Sequence, residues 1–477
     1  MHSSDEINVE KTMSLAARAA AIFSQLDQEH TDRIVRAVYE AGFKNRVRLA
    51  KMAHEETGIG KWQDKVLKNV IATQLVYEDI KNDKTVGVVS EDRDRGIVEI
   101  AQPLGPIFAI IPVTNPTSTV LFKILIALKT RNPLIIRPHR NAAACSSEAA
   151  RICYEAALSE DAPEDCIQWV GEMSREQTKT MMGHKDLALV LATGGPGLVR
   201  AAYSSGTPAI GVGAGNVPVF IDRSADIPFA VEQILISKTF DNGTVCASEQ
   251  AIVVEKAIEA DVVAAMQARH GYFLSEDESK RLEPVVFDRE KKNMAAAIVG
   301  KSAVEIARRA DITVPEDTQL LVAPQTGIGD EYPLSCEILA PVLAFYSAQD
   351  FEQAVNLCID LNFHGGIGHT ASIFANDEDV VRQFATLMNA GRVVVNTPSS
   401  QGGVGGVFNT LRPSFTLGCG TGGKNITTDN ITVKHLLNIQ RIARRRVNER
   451  FARFDTNLYF DERLDAAAVE SLFNRNR

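Results

Sequence analysis

A single cysteine, Cys246, stands in KTFDNGTVCASEQAIVVE (238–255), between a turn holding Asp241, Asn242 and Gly243 and an apolar run at 251–254. Free cysteines usually pack as small hydrophobes. One at a bent, open backbone is a candidate nucleophile, reactive as the thiolate. Asn115, in IPVTNPTS, ends a strand-like run. It reads either as a turn former before proline or as an amide that donates to a developing oxyanion. The segment ATGGPG (192–197) follows a strand and opens a helix. Helix N–H groups there meet a nucleotide phosphate, or the segment is a plain tight turn. GVGAGN (211–216) permits close backbone approach, to a ligand or between domains. Glu337, in SCEILAPVLAF, is a loop charge or an acceptor for cofactor hydroxyls; His369, in HGGIGHTASIF, is structural or a partner for chemistry.

These residues need a frame. Positions 8–80 carry apolar residues at three- and four-residue steps, which predicts helices. From 86 onward the period changes, and PIFAIIPV is a continuous apolar run, as in a strand covered on both faces. Strand-like runs then alternate with helical ones: PLIIRPH, LALVLATGG, PAIGVGAG and VPVFID, and later AIVVE, LLVAPQTG, LAPVLAFYSA, TASIFA and RVVVN. This pattern predicts doubly wound α/β sheets, a second unit beginning near Cys246, and ligands at C-terminal strand ends. The glycine-dense stretch 401–423 reads as irregular loop, and the polar tail from 441 is expected to extend past the compact body. KHLLNIQRIARRR (434–446) has apolar residues at helix spacing. It reads as an amphipathic helix with a solvated basic face, or as a basic surface for an anionic cofactor or a partner subunit.

Composition excludes several classes. The 477 residues exceed one ordinary core, so two or three domains are expected. Net charge is −9, against sequence-independent nucleic-acid binding. Seven scattered cysteines without C-x-x-C pairing form neither a disulfide framework nor a zinc site; no metal is expected, and a reducing cytoplasm fits. The polar N-terminus predicts no secretory leader, and no apolar stretch is long enough to predict a membrane span.

Taken in order, TNPTSTVLFKILIALKTRN, RPH, ATGGPG, GVGAGNVPVFID, FDNGTVCASEQ, EILAPV, GHTASIF and TLGCGTGG resemble the aldehyde dehydrogenase superfamily, and more narrowly its CoA-acylating branch. The resemblance implies two doubly wound α/β domains with a small oligomerisation hairpin. It divides the chain into a cofactor-binding domain (1–92 and 108–240), a catalytic domain (241–425), oligomerisation elements (93–107 and 426–448) and a tail (449–477). It makes Cys246 the nucleophile, Asn115 the oxyanion amide acting with the Cys246 N–H, and His369 a histidine near the thiol. Thr193 and Gly194 fall near nicotinamide and phosphates, Glu337 at the nicotinamide ribose, with Pro112 and Val212 also beside the cofactor. Val212 occupies the position where hydrolytic members carry a glutamate base, which favours CoA over water as acyl acceptor. In IIRPHRN, Arg137 and Arg140 stand near positions that hold lysine and glutamate around the adenine ribose, a tilt toward NADP with NAD open. The expected protein converts a short aldehyde such as acetaldehyde, or a functionalised one such as sulfoacetaldehyde or succinic semialdehyde, to its acyl-CoA. It is expected to be a homodimer or homotetramer, in the cytoplasm or within a bacterial microcompartment. A hydrolytic dehydrogenase and a non-catalytic scaffold are the alternatives.

Overall fold

The computed structural model describes residues 8–475. Four helices open the chain: α1 (Val9–Phe23), α2 (Gln28–Lys44), α3 (Arg46–Thr57) and α4 (Trp62–Val70). Asn8 and Asp27 side chains accept N–H groups of the first turns of α1 and α2 (2.9 and 2.8 Å), which such residues do well at N-caps. Gly58 ends α3 in the left-handed region (φ 63°). α4 runs through a π-helical turn (Ile71–Leu75) into α5 (Val76–Ile80).

Strands β1 (Gly87–Asp92), β2 (Ile97–Pro103) and β3 (Ile107–Ile110) follow, then α6 (Pro116–Lys129), β4 (Leu134–Arg137), α7 (Ala143–Leu158), β5 (Ile167–Trp169), β6 (Leu189–Thr193) and β7 (Ala209–Val212). Five of these form a parallel sheet in the order β5-β4-β3-β6-β7. β3 is buried throughout because helices cover both faces. Ile107 and Ala109 pack with α6 and α7, while Phe108 and Ile110 pack with α1 residues Val9, Met13 and Ala16. Each such fully buried Ile or Phe contributes about 1.5–3 kcal/mol.

The chain then changes sheet. β8 (Val217–Ile221), β9 (Glu249–Glu255), β10 (Gly271–Phe273), β13 (Leu320–Pro324), β14 (Val342–Ala348), β15 (Ala371–Phe374) and β16 (Val393–Val395) form a second parallel sheet, order β10-β13-β14-β9-β8-β15-β16; β11 (Phe287–Asp288) and β12 (Asn293–Met294) make a small hairpin. The switch falls between Val212 and Val217, so the division expected at 240/241 is corrected: β8 pairs with β9 and β15, and its side chains complete the second core.

Two further expectations are corrected. KHLLNIQRIARRR is not a helix: after a 3₁₀ turn (Val433–Leu436) it forms β17 (Leu437–Ala443), antiparallel to β2 in a β1-β2-β17 sheet. The open edge of β2 supplies ladder hydrogen bonds that outweigh helical spacing, and Arg441 pairs with Glu99 (3.0 Å). The segments expected at 93–107 and 426–448 thus meet in one sheet. The start of the glycine-dense stretch is not loop: it completes a short helix, Ser399–Val404. Its first N–H groups reach Glu249 Oε1 (2.9 Å) and Ser237 Oγ (2.8 Å). Gly403 lets this helix press on Ala247, since a Cβ there would stand 2.6 Å from the Ala247 Cβ. In the tail, Phe454 is buried against Tyr459 and Phe473 (centroids 4.9 and 5.4 Å), so this segment packs on itself.

Candidate active site

Cys246 lies between helix Ile227–Thr239 and β9. The connection turns at Asp241 (φ 50°) and Asn242 (φ 53°), a left-handed pair that Asp and Asn tolerate best after glycine. Buried polar contacts fix the turn. Asn242 Nδ2 donates to Gly300 O (2.8 Å), and the Asp241 N–H donates to the Asp64 carboxylate (2.7 Å). The Asp241 carboxylate accepts from the Lys61 N–H (2.7 Å), Lys65 Nζ (2.9 Å), Lys68 Nζ (2.5 Å) and Thr244 Oγ1 (2.8 Å). Lys65 and Lys68 reach one carboxylate because residues three apart share a helix face. Buried charges are tolerable only when paired and hydrogen-bonded in this way.

The Cys246 sulfur stands 3.3 Å from His369 Nε2. His369 lies just before β15, separated from it by Thr370; it is wholly buried, with Nδ1 2.9 Å from Thr370 Oγ1. Arg392 backs the pair: Nη1 donates to His369 O (2.7 Å) and Thr370 Oγ1 (3.2 Å), and Nη2 to Gly418 O (2.6 Å) and Thr428 O (3.0 Å). Burial drives the His369 imidazole down to about 3, and the Arg392 charge adds to this, so the ring is neutral. Burial pushes the Cys246 thiol up to about 12. The Glu337 carboxylate and Cys419 add to the rise, while Arg392 and the Cys246 N–H oppose it. A protonated thiol therefore faces a neutral imidazole.

Asn115 caps α6 at its N-terminus and turns its amide toward the cysteine segment. Nδ2 donates to Thr244 O (3.2 Å) and Thr114 Oγ1 (3.1 Å), and Oδ1 accepts from Lys68 Nζ (2.6 Å). Glu337 Oε1 accepts the Gly215 N–H (2.8 Å). Burial raises the Glu337 carboxyl to about 7, opposed by that N–H and by Lys238. Gly215 passes so close to the cysteine that a Cβ would stand 2.1 Å from Cys246 O, which assigns the close approach of GVGAGN to backbone packing.

A cavity of about 730 Å³ opens between the two parallel sheets, lined by Pro112, Asn115, Arg137, Thr193, Gly194, Val212, Cys246 and Glu337 among others. This is the size of a small-molecule site. It lies at C-terminal strand ends: Thr193 closes β6, and Val212 closes β7 opposite it. His369 sits behind Cys246, fully buried. Arg140 is exposed in a 3₁₀ turn after β4, apart from the residues that line the cavity. Two buried lining atoms, Arg137 Nε and Thr193 Oγ1, have no hydrogen-bond partner. Such atoms call for a ligand rich in acceptors, and a phosphate- and ribose-bearing nicotinamide cofactor fits them.

Three features escape sequence reasoning. Lys65 and Lys68 point inward while Leu67 between them is half-exposed, the reverse of ordinary amphipathic patterning. Arg392 immediately precedes the half-buried strand β16, and only its four carbonyl and hydroxyl partners reveal its use. A second thiol–imidazole contact, Cys336 Sγ to His364 Nε2 at 3.2 Å, also lines the cavity.

The aldehyde dehydrogenase family's sequence profile matches residues 1–411. The bifunctional aldehyde-alcohol dehydrogenase AdhE of Escherichia coli K12 is 44% identical over 447 residues, covering 93% of this chain and 50% of that protein. The chain thus spans about half the length of that bifunctional relative. An acetylating aldehyde dehydrogenase from Geobacillus thermoglucosidasius is 47% identical, with a TM-score of 0.90 over 92% of this chain and 97% of that one. A Rhodopseudomonas palustris propionaldehyde dehydrogenase with bound CoA and an acylated cysteine superposes with a TM-score of 0.80 at 25% identity, over 93% and 98% of the two chains. With its paired parallel sheets and a thiol at their junction, the chain belongs to the aldehyde dehydrogenase family.

Proposed function

We propose that the protein is a CoA-acylating aldehyde dehydrogenase, interconverting a short-chain aldehyde, CoA and NAD(P)⁺ with the acyl-CoA and NAD(P)H. Val212 carries this reading. It is buried and apolar, and it lines the cavity beside Cys246 where a hydrolytic enzyme places a base. Water needs such a base to attack a thioester; a thiol of ordinary pKa near 8.5 already presents some thiolate at neutral pH.

As the Cys246 sulfur attacks the aldehyde carbon, its proton passes to His369 Nε2, 3.3 Å away. Asn115 Nδ2 and the Cys246 N–H stabilise the resulting oxyanion. NAD(P), when bound, supplies the hydride acceptor. Pro112, Arg137, Thr193, Gly194 and Val212 shape its berth, and the Glu337 carboxylate accepts from ribose hydroxyls. The acyl group stays on Cys246 as a thioester until the CoA thiolate displaces it.

The surroundings of the thiol narrow the aldehyde. Cys246 packs against an apolar cluster of Ile71, Phe240, Val245, Ala247, Val404 and Leu417. Among the described lining residues, the permanently cationic side chains are Arg137, at the end of β4, and Lys292, paired with Asp330. Neither belongs to this apolar cluster, so small uncharged aldehydes such as acetaldehyde suit the site better than sulfonated or carboxylated ones. The test runs acetyl-, propionyl- and succinyl-CoA in reverse with NADH and NADPH, and aldehyde oxidation with and without CoA. Preference for the uncharged thioesters and strict CoA dependence are expected; NADH formation at an equal rate without CoA would overturn the assignment in favour of hydrolysis.

We also assign subunit association to the β1-β2-β17 sheet, whose outer strands expose Val88 and Ile442. Light scattering that reports a monomer would refute this. The seven cysteines are unpaired, which suits a reducing cytoplasm, free or inside a microcompartment; fractionation of the native host checks the location. Among the described residues no helix is long and apolar enough to cross a membrane.

A further inference from the structure

Lys68 is a buried ammonium that the chemistry above does not use. Three acceptors surround its three N–H groups: Asp241 Oδ2 at 2.5 Å, Asn115 Oδ1 at 2.6 Å and Thr244 Oγ1 at 3.0 Å. The charged groups packed around it are Lys65, Asp241 and Asp64. Asp241 accepts from both lysines, and its own N–H is held by Asp64.

An asparagine amide has nearly the same shape after a half-turn about its last bond, so packing alone does not choose which atom faces the substrate. A partner that can only donate does choose. Lysine is such a partner. It takes Oδ1 and so leaves Nδ2 to Thr244 O, two residues before Cys246, and to Thr114 Oγ1.

We propose that Lys68 is a positioning residue for acyl transfer, holding the Asn115 amide with its N–H groups toward the reacting carbonyl oxygen and strengthening them as donors. The inference rests on the proposed function, in which Asn115 is the oxyanion donor. A flipped amide would present Oδ1 to that oxyanion and repel it. A charged donor on Oδ1 draws electron density from the amide nitrogen and polarises its N–H bonds, an effect that low dielectric enhances. The third bond, to Thr244 Oγ1, ties the same ammonium to the cysteine segment, so one group aligns both halves of the oxyanion site.

The test compares Lys68→Met, Lys68→Arg, Asn115→Ala and the Lys68→Met/Asn115→Ala double variant. Two rates are read on each: CoA-dependent aldehyde oxidation, and alkylation of Cys246 by iodoacetamide, which attacks no carbonyl and makes no oxyanion. Lys68→Met is expected to lower kcat by roughly 10- to 100-fold, with KM little changed and alkylation held within about twofold of the parent. Lys68→Arg, still a pure donor, recovers part of the loss. The double variant is no slower than Asn115→Ala alone. Parallel losses of kcat and alkylation would mean a merely structural lysine, and multiplied losses in the double variant, or unchanged kcat in Lys68→Met, would also overturn the inference. Full activity in Asn115→Ala would instead defeat the oxyanion assignment itself. If Lys68→Met does not fold, Lys68→Gln, which can present either a donor or an acceptor, takes its place with the same expected split between the two rates.

Discussion

His369 Nε2 stands 3.3 Å from Cys246 Sγ, and Arg392 grips the histidine from behind through its backbone carbonyl. The pair is a neutral acid beside a neutral base. Arg392 disfavours the imidazolium and favours the thiolate, so the proton passes only when the thiolate is consumed by bond formation. His369→Gln keeps a polar side chain and removes the base. Its kcat for aldehyde oxidation should fall by about 10²- to 10⁴-fold, measured by stopped-flow NADH formation; a loss under tenfold would leave His369 a structural residue.

The thiol's own titration can be read directly. With the folded group raised to about 12 by burial, the alkaline form is scarce throughout the neutral range. Alkylation of the unliganded enzyme should climb tenfold per pH unit from pH 7 to beyond 9, without the plateau that an ordinary thiol near 8.5 shows. A plateau by pH 9 would contradict the half-buried, neutral thiol. Cys246→Ala should lose at least about 10³-fold in turnover.

Glu337 titrates in the physiological range, raised to about 7 by burial. In the role proposed for Glu337, ribose hydroxyls would donate to the ionised form, so cofactor binding should strengthen as pH rises through 7 and weaken below it. Calorimetric titration with NAD⁺ and NADP⁺ at pH 6 and 8 measures this. Glu337→Gln should flatten the pH dependence; an unchanged slope would place the titrating group elsewhere.

Val212→Glu puts a carboxylate in a buried position that lines the cavity beside Cys246. An isolated buried carboxylate is costly and is raised in pKa, so the melting temperature should drop. In return, CoA-independent NADH formation should appear, rising with pH as the new base ionises. A variant that melts normally and still requires CoA would detach Val212 from acceptor choice.

Gly403 presses its helix onto Ala247, next to Cys246. Gly403→Ala places a Cβ 2.6 Å from the Ala247 Cβ. Overpacking of this kind costs about 1–3 kcal/mol, readable by urea unfolding, and the displaced Ala247 should slow alkylation of Cys246. Unchanged stability would mean that the Ser399–Val404 helix shifts freely.

Residue spacing alone makes most of the elements and the α/β class legible. Runs such as those forming β3, β9 and β14 are apolar on both faces, which only a covered parallel sheet accommodates, and the N-terminal helices declare themselves by spacing. Cys246, Asn115, Thr193, Glu337 and Val212 were legible as an ordered set because each stands at a strand end or a turn, where local chemistry is distinctive. What depends on distant partners was not legible. The 434–446 run has helical spacing, yet it becomes β17 because β2 offers an open edge. The chain leaves its first sheet at Val212 rather than near Cys246 because β8 finds its neighbours in β9 and β15. Lys68 and Arg392 look like surface charges in the sequence; folding buries them against Asp241, Asn115 and the backbone around His369. Spacing along a chain encodes the neighbours one helical turn or one strand pleat away, whereas the buried charges Arg392 and Lys68 pair with residues such as Thr370 and Asp241, 22 and 173 positions away, and folding alone brings those together.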